Sequence, residues 1–359
     1  MPSSQILLAT TKSSASLPVV PFTLSLDASD NTRFGDTTTV QNNWWSSQTY
    51  DAGFVTNIGQ QSYQGFYAFT AGKNATLTAT LGGAAGFRNI RGRSITATFS
   101  IAVGDRIVFF AGKPSTNVAA EGAAGGASCL MKYGTSLSSD ADYENGFVPL
   151  IIAAGGGEGG SGANQSYEAS SAAPAYSVTT SNTSTNIMTT RNYGFPNANL
   201  VAKEGGAGRD NSAQSGGAGW KGPSRDVGGN AFRQGGNNPG VGLAYGAMGN
   251  LTVSASGSDG GFGGGGCGYP GNTYGAGAGG YYGGCEGTGG SYNSTSSYVM
   301  YSPTRGDQVG DVYGALSFVH SSGSTVTDNG LWGTHGGSTP WFSGTDSQQI
   351  KGRVYLSFT

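Results

Sequence analysis

Residues 147–162 read FVPLIIAAGGGEGGSG. An apolar strand, Phe147 to Ile152, runs straight into glycine with no polar residue between them. Glycine loses more backbone freedom on ordering than any other residue. A strand that ends this way enters either a flexible linker or a structure that only glycine permits. The choice between the two decides the fold.

From this point to about residue 292, glycine-dense blocks alternate with polar stretches such as SVTTSNTSTNIMTTRN. The chain has 359 residues, with 66 glycines, 18 tyrosines and 16 phenylalanines, and a net charge of −2. Charged residues make up 11%, against about 25% in ordinary soluble domains. Disorder of the low-hydrophobicity kind comes with high net charge and few aromatics. Aromatics here reach 11%, so the chain is not disordered throughout. Collagen is excluded, because the glycines keep no three-residue period and only 12 prolines occur. A near-neutral balance leaves no electrostatic footprint for nucleic acid or an anionic membrane. No stretch approaches the length of a membrane span. The N-terminus, MPSSQILLATTKSSASLPVV, lacks a basic region, and its ILLA run is too short for a secretory signal. With Met1 in place, the expectation is a chain that reaches its destination without the secretory pathway.

Working outward, the first third reads as β-structure. PFTLSL at 21–26 alternates Phe22, Leu24 and Leu26. GFYAFTAG at 65–72 is followed by ATLTATLGG at 75–83, where Leu77 and Leu81 bracket small residues. SITATFSI at 94–101 places Ile95, Ala97, Phe99 and Ile101 on one face, the period of a half-buried strand. RIVFFAG at 106–112 is nearly continuous apolar sequence, suited to a strand covered on both faces. Strand character returns in DVYGALSFVH at 311–320 and in QIKGRVYLSFT at 349–359, with Ile350, Val354, Leu356 and Phe358 on one side. No segment carries a clear 3.6-residue apolar stripe, so very little helix is expected. Strands before and after the glycine predict one β domain closed by its own C-terminal strand.

Three readings compete for the glycine itself. A flexible linker seldom alternates with aromatics such as Phe262, Tyr269, Tyr274, Tyr281 and Tyr282. A phosphate cradle has a formal GxGxxG match at Gly217, Gly219 and Gly222, but no strand enters it and no helix leaves it. The third is a bundle of left-handed, three-residue-per-turn polyglycine segments whose N–H and C=O groups all point outward to neighbours. Fixing each residue costs roughly 1–2 kcal/mol, while each bond returns a net of about 0.5–1.5 kcal/mol. Only several segments packed together and pinned by a β domain would hold, and this is the reading adopted.

FVPLIIAAGGGEGGSG, GGAGW at 216–220 and GGFGGGGCG with GAGAGGYYGG at 260–284 closely resemble a known family. It is the glycine-rich extracellular domain of the anaplastic lymphoma kinase and leukocyte tyrosine kinase receptors. GFYAFTAGKNATLTATLGGAAG and SITATFSIAVGDRIVFFAGKP look like its entry strands, in the same order, and GRVYLSF like its closing strand. The resemblance covers Phe22 to Thr359. It implies an all-β fold: a TNF-like jelly-roll sandwich with an inserted bundle of polyglycine II helices and little α-helix. The corresponding divisions are an extension over 1–21, the first part of the sandwich over 22–153, the glycine-rich insertion over 154–292 and closing strands over 293–359. By analogy it also implies a trimer. No ligand-contact residue is carried over, because neither a kinase nor a membrane span lies in this sequence.

Candidate chemistry is sparse. Cys267 and Cys285 bracket a glycine–tyrosine segment, and a disulfide between them stands beside a reading of all three cysteines, Cys129 included, as buried thiols. His320 and His335 have no sequence-identifiable nucleophile or carboxylate partner and read as structural. Asp140, Asp142 and Glu144 alternate in SSDADYEN, a weak calcium candidate that lacks the remaining EF-hand positions. Arg88, Arg91 and Arg93 offer guanidiniums for a carboxylate or sulfated sugar, or solubilise a sheet corner. Trp44, Trp45, Trp332 and Trp341 suit packing, with sugar stacking as the alternative. N-x-[ST] sequons at Asn74, Asn164, Asn182, Asn250 and Asn293 occur about as often as chance allows here.

These observations point away from an enzyme, and no cofactor is implied. The expected function is structural and recognition work on a particle surface, as a viral capsid, spike or fibre component or an adhesin. Tyr269, Tyr274, Tyr281 and Tyr282 are the expected exposed contacts. The expected partners are other copies of the chain, other particle proteins, or a host-surface glycan or protein. The expected location is a virion or an extracellular surface. The alternative is the ligand-binding domain of a receptor-like protein.

Overall fold

The computed structural model describes residues 18–30, 33–60, 65–86, 91–115, 123–133, 147–157, 176–179, 217–220, 260–267, 277–281, 315–333 and 350–359. In chain order the elements are β1 (Phe22–Asp27), α1 (Thr38–Ser47), β2 (Val55–Gln60), β3 (Tyr67–Ala71), β4 (Ala75–Gly82) and β5 (Arg93–Ile101). There follow β6 (Arg106–Phe110), β7 (Ser128–Tyr133), β8 (Phe147–Ala153), β9 (Tyr176–Thr179), β10 (Leu316–Val319), β11 (Ser324–Leu331) and β12 (Arg353–Phe358). They form two sheets, five strands in the order β1-β12-β4-β5-β11 and seven in the order β2-β3-β6-β7-β8-β10-β9. The pairing is antiparallel throughout except between β9 and β10.

Period-two alternation builds the five-stranded sheet as a half-buried layer. Leu24, Leu26, Leu77, Leu81, Ile95, Phe99, Val354, Leu356 and Phe358 all face the core. The residues between them carry hydroxyls outward, and cross-strand pairs Thr78–Thr98 and Thr80–Thr96 bond through their side chains at 3.2 and 2.8 Å. The closing strand is central: β12 sits between β1 and β4, matching Leu356 to Leu24 on one side and to Ala79 on the other. The N- and C-terminal segments thus lock one sheet together.

Strand β6 of the seven-stranded sheet is covered on both faces, as its continuous apolar run predicts. Ile107 and Phe109 join the inter-sheet core. Val108 and Phe110 point the other way and are equally buried. Phe262, from a glycine-rich segment, covers this outer side with ring centroids 5.3 Å from Phe110 and 6.4 Å from Phe66.

Helix α1 departs from the expected pattern. Thr37 caps it, its Oγ1 accepting from Val40 N at 3.4 Å. Its two buried residues are Gln41 and Trp45, four positions apart on one face. Gln41 donates from Nε2 to Phe66 O at 2.9 Å, so a glutamine occupies half of the inward stripe. Apolar periodicity cannot register that. Strand β11 also went unread, since STVTDNGL is polar and mostly exposed and forms a sheet edge against β5.

Candidate functional site

The strands of both sheets run on into small-residue segments at one end of the sandwich. GAAG at 83–86 continues β4, AGKPS at 111–115 continues β6, AAGGA at 123–127 leads into β7, and AGGG at 154–157 continues β8. Residues 217–220, 260–267 and 277–281 join them, and every one of these segments is buried.

Main-chain bonds tie the segments together in more than one plane. Around 123–127, Ala84 N donates to Gly126 O at 3.0 Å and Gly126 N to Lys113 O at 3.0 Å. Gly125 N donates to Gly156 O at 2.8 Å, Ala127 N to Gly263 O at 2.9 Å, and Gly279 N to Gly125 O at 3.3 Å. One five-residue stretch therefore bonds to five others, where a strand in a sheet has two neighbours. Such approach requires the absence of a side chain: a Cβ on Gly126 would lie 1.7 Å from Phe262 O, and one on Gly279 1.8 Å from Gly263 O. Three of its segments, 83–86, 111–115 and 123–127, come from before residue 153 rather than from the glycine-rich stretch after it.

Lys113 brings charge into this layer. Its N–H donates to Phe262 O at 2.8 Å, and its side chain is 3% exposed. The ammonium Nζ lies 2.9 Å from Asp36 Oδ1, 2.6 Å from Asp30 Oδ1 and 3.3 Å from Ser29 Oγ. Asp36 is buried as well, and accepts from Ser29 Oγ at Oδ1 (2.6 Å) and from the Tyr67 hydroxyl at Oδ2 (2.7 Å). Burial alone raises the Asp36 carboxyl, but the bonds from Lys113 and Ser29, the Lys113 charge and the Tyr67 bond outweigh it and hold it below the ordinary value. The Tyr67 phenol is pushed up, by burial first and then by the Asp36 charge and bond. Ser29, Asp30, Asp36, Tyr67 and Lys113 were not singled out in the sequence. The available signal was a lysine between Gly112 and Pro114 at the end of an apolar strand.

The expected contact tyrosines divide. Tyr281 is fully buried, its ring stacked on Phe318 with centroids 4.2 Å apart, so it is a core residue rather than an exposed contact. Tyr269, Tyr274 and Tyr282 lie outside the described residues, as do Cys285, Asp140, Asp142, Glu144, Arg88, His335 and Trp341. Cys267 and Cys129 are both buried, and burial raises the Cys129 thiol well above its ordinary value.

The other described candidates are tied into the fold. Arg93 makes a two-pronged pair with Asp328, and Arg91 donates to Gly333 O at 2.9 Å. Trp45 packs in the core, and Trp44 donates from Nε1 to Ser25 O at 3.0 Å. Trp332 lies flat over Gly82, where a Cβ would sit 2.3 Å from the indole. His320 Nδ1 is 2.8 Å from Ser322 Oγ. Among the described residues no helix is long and apolar enough to cross a membrane. Neither a protein-family model nor a curated protein matches the chain.

Proposed function

We propose that this chain is a non-enzymatic structural and recognition protein of a particle surface, a viral capsid, spike or fibre component or an adhesin. In this reading the sandwich is a TNF-like jelly roll, and the buried glycine segments are polyglycine II helices except for the turn at 261–265, where Gly265 N bonds to Gly261 O at 3.0 Å and Gly263 has φ +104°. The observation that supports it is the bonding of 123–127 to five other segments. Left-handed polyglycine directs its N–H and C=O groups outward around the helix axis, so bonding in several directions follows. A body held by main-chain bonds and anchored on two sheets suits rigid display. The family resemblance supports the same architecture, and the fold by itself assigns no role.

Proteomics of purified particles from the source, with immunogold labelling by antibodies against the recombinant chain, tests the role. The expected result is enrichment on particles or on the outer cell surface. Absence from both overturns it. Amide exchange tests the scaffold separately: Gly125, Gly126, Gly155 and Gly156 are expected to exchange as slowly as the amides of β7. Exchange at the rate of an open loop removes the polyglycine reading.

A further inference from the structure

The alternation that turns Leu24, Leu77 and Leu356 into the core turns a second set of residues out of the five-stranded sheet. Ser25, Thr78, Thr80, Thr96 and Thr98 make a low floor of hydroxyls on that outer face. Branching at Cβ stiffens the threonines, and the Thr78–Thr98 and Thr80–Thr96 bonds hold them in pairs. Two rings stand beside this floor. Tyr355 lies on β12 opposite Thr80 and is 41% exposed. Trp332 is half-buried and flat over Gly82, and its Nε1 donates to Lys351 O at 2.7 Å, which fixes the rotation of the indole. Tyr355 and Gly82 are diagonal neighbours across β12 and β4, so the two ring positions are about 7–8 Å apart. Arg353 joins them. It pairs with Gly82 in the sheet, its guanidinium carbon is 5.5 Å from the Trp332 ring centre, and its Nε and Nη2 are held by Asp27. A guanidinium has five N–H groups, and the Asp27 pair leaves those on Nη1 for another acceptor.

We infer that this face binds a neutral, unsulfated oligosaccharide. Tyr355 and Trp332 are the stacking platforms for two of its rings, and Arg353 and Asp27 contact its hydroxyls. The inference rests on the recognition role proposed above and gives that role a ligand. Charge is the first argument. Asp27 cancels Arg353, which leaves Lys351 as the one net charge beside the rings among the described residues. A nucleic acid or sulfated chain is held by several cations together. A protein partner needs apolar anchors buried at the centre of its contact, and the centre here is a floor of hydroxyls. A sugar ring carries both of the surfaces that match. Its C–H groups are positively polarised and are drawn to the electron-rich face of an aromatic ring. Its hydroxyls can donate to the Asp27 oxygens and accept from Arg353 Nη1. The polar side chains already hold one another in place, so little ordering is lost on binding.

The test is binding of the full recombinant chain to an array of neutral oligosaccharides of glucose, galactose, mannose and N-acetylglucosamine, printed beside sulfated and sialylated ones. The strongest neutral member is then titrated in solution and followed by NMR. It is expected to shift the indole N–H resonance that Trp332→Phe removes. Tyr355→Ala, at an exposed ring, is expected to keep the melting temperature and to weaken binding about tenfold. Tyr355→Phe keeps the ring and is expected to bind like the parent chain. Binding of no neutral glycan, preference for the sulfated members, or equal affinity in Tyr355→Ala overturns the inference. So does an oligomer of the parent chain that Tyr355→Ala dissociates, because the face would then belong to a second copy. Particle proteomics reads the proposed role separately. A chain found on particles that binds no glycan sinks this inference alone, and a glycan-binding chain absent from particles and from the cell surface sinks only the role.

Discussion

The sandwich and the glycine layer reach the same degree of burial by opposite means. Between the sheets, side chains fill the space, and the main chain bonds only to the strands on either side. In the glycine layer most side chains are absent or a single methyl, and the main chain supplies most of the bonds, with Trp220, Phe262 and Tyr281 as buried rings among the glycines. The sandwich therefore tolerates volume-conserving change, whereas glycines such as Gly126 in the layer face only backbone atoms. A Cβ at Gly126 meets carbonyl oxygen and carbon at 1.7 and 2.4 Å, and both are backbone.

The largest expected effect is on the sandwich side. Phe358→Ala removes a ring that packs on Phe22, Phe54 and Phe69, and is expected to lower unfolding free energy by about 3–5 kcal/mol. Denaturant titration reads this directly. A loss below about 1 kcal/mol would mean the two sheets do not share this core.

Gly126→Ala carries the comparison into the layer, with an expected loss of about 3 kcal/mol from overpacking against rigid backbone. Gly330→Ala is its control: Gly330 has φ +83° and nothing within 4 Å of its added Cβ. It is expected to cost only the about 1–2 kcal/mol of a left-handed backbone. Equal losses at the two positions would erase the distinction between the regions.

The smallest effect is confined to acid. The Lys73 hydrogen bond, the Val20 N–H and the Gly53 N–H outweigh burial and hold the Asp51 carboxyl at about 2, from an ordinary 3.8. A depressed folded value stabilises fully above the unfolded one and is lost as protons bind the folded state. Thermal stability is thus expected to fall from about pH 4 to about pH 2, and Asp51→Asn is expected to flatten that slope. An unchanged acid profile in the variant would show that Asp51 is not the source of the acid-linked loss.

Much of the sandwich was legible because side chains announce it. Alternation in PFTLSL, SITATFSI and RVYLSF named the inward residues, and the unbroken apolar run of RIVFF signalled cover on both faces. Helix α1 was not legible, because its buried stripe is a glutamine and a tryptophan. Tyr281 was misread as an exposed contact, because an aromatic among glycines looks the same whether it faces solvent or stacks on Phe318. The Lys113 cluster gathers residues 29, 30, 36, 67 and 113, which no local spacing connects.

Composition and period two were enough to establish an all-β chain with ordered strands on either side of a glycine-dense region. Which strands neighbour one another, and which glycines pack together, emerged only in three dimensions. The physical reason is that a side-chain pattern records which face of an element is buried. A glycine's bonding partners are chosen by main-chain groups, which are the same at every position in the chain.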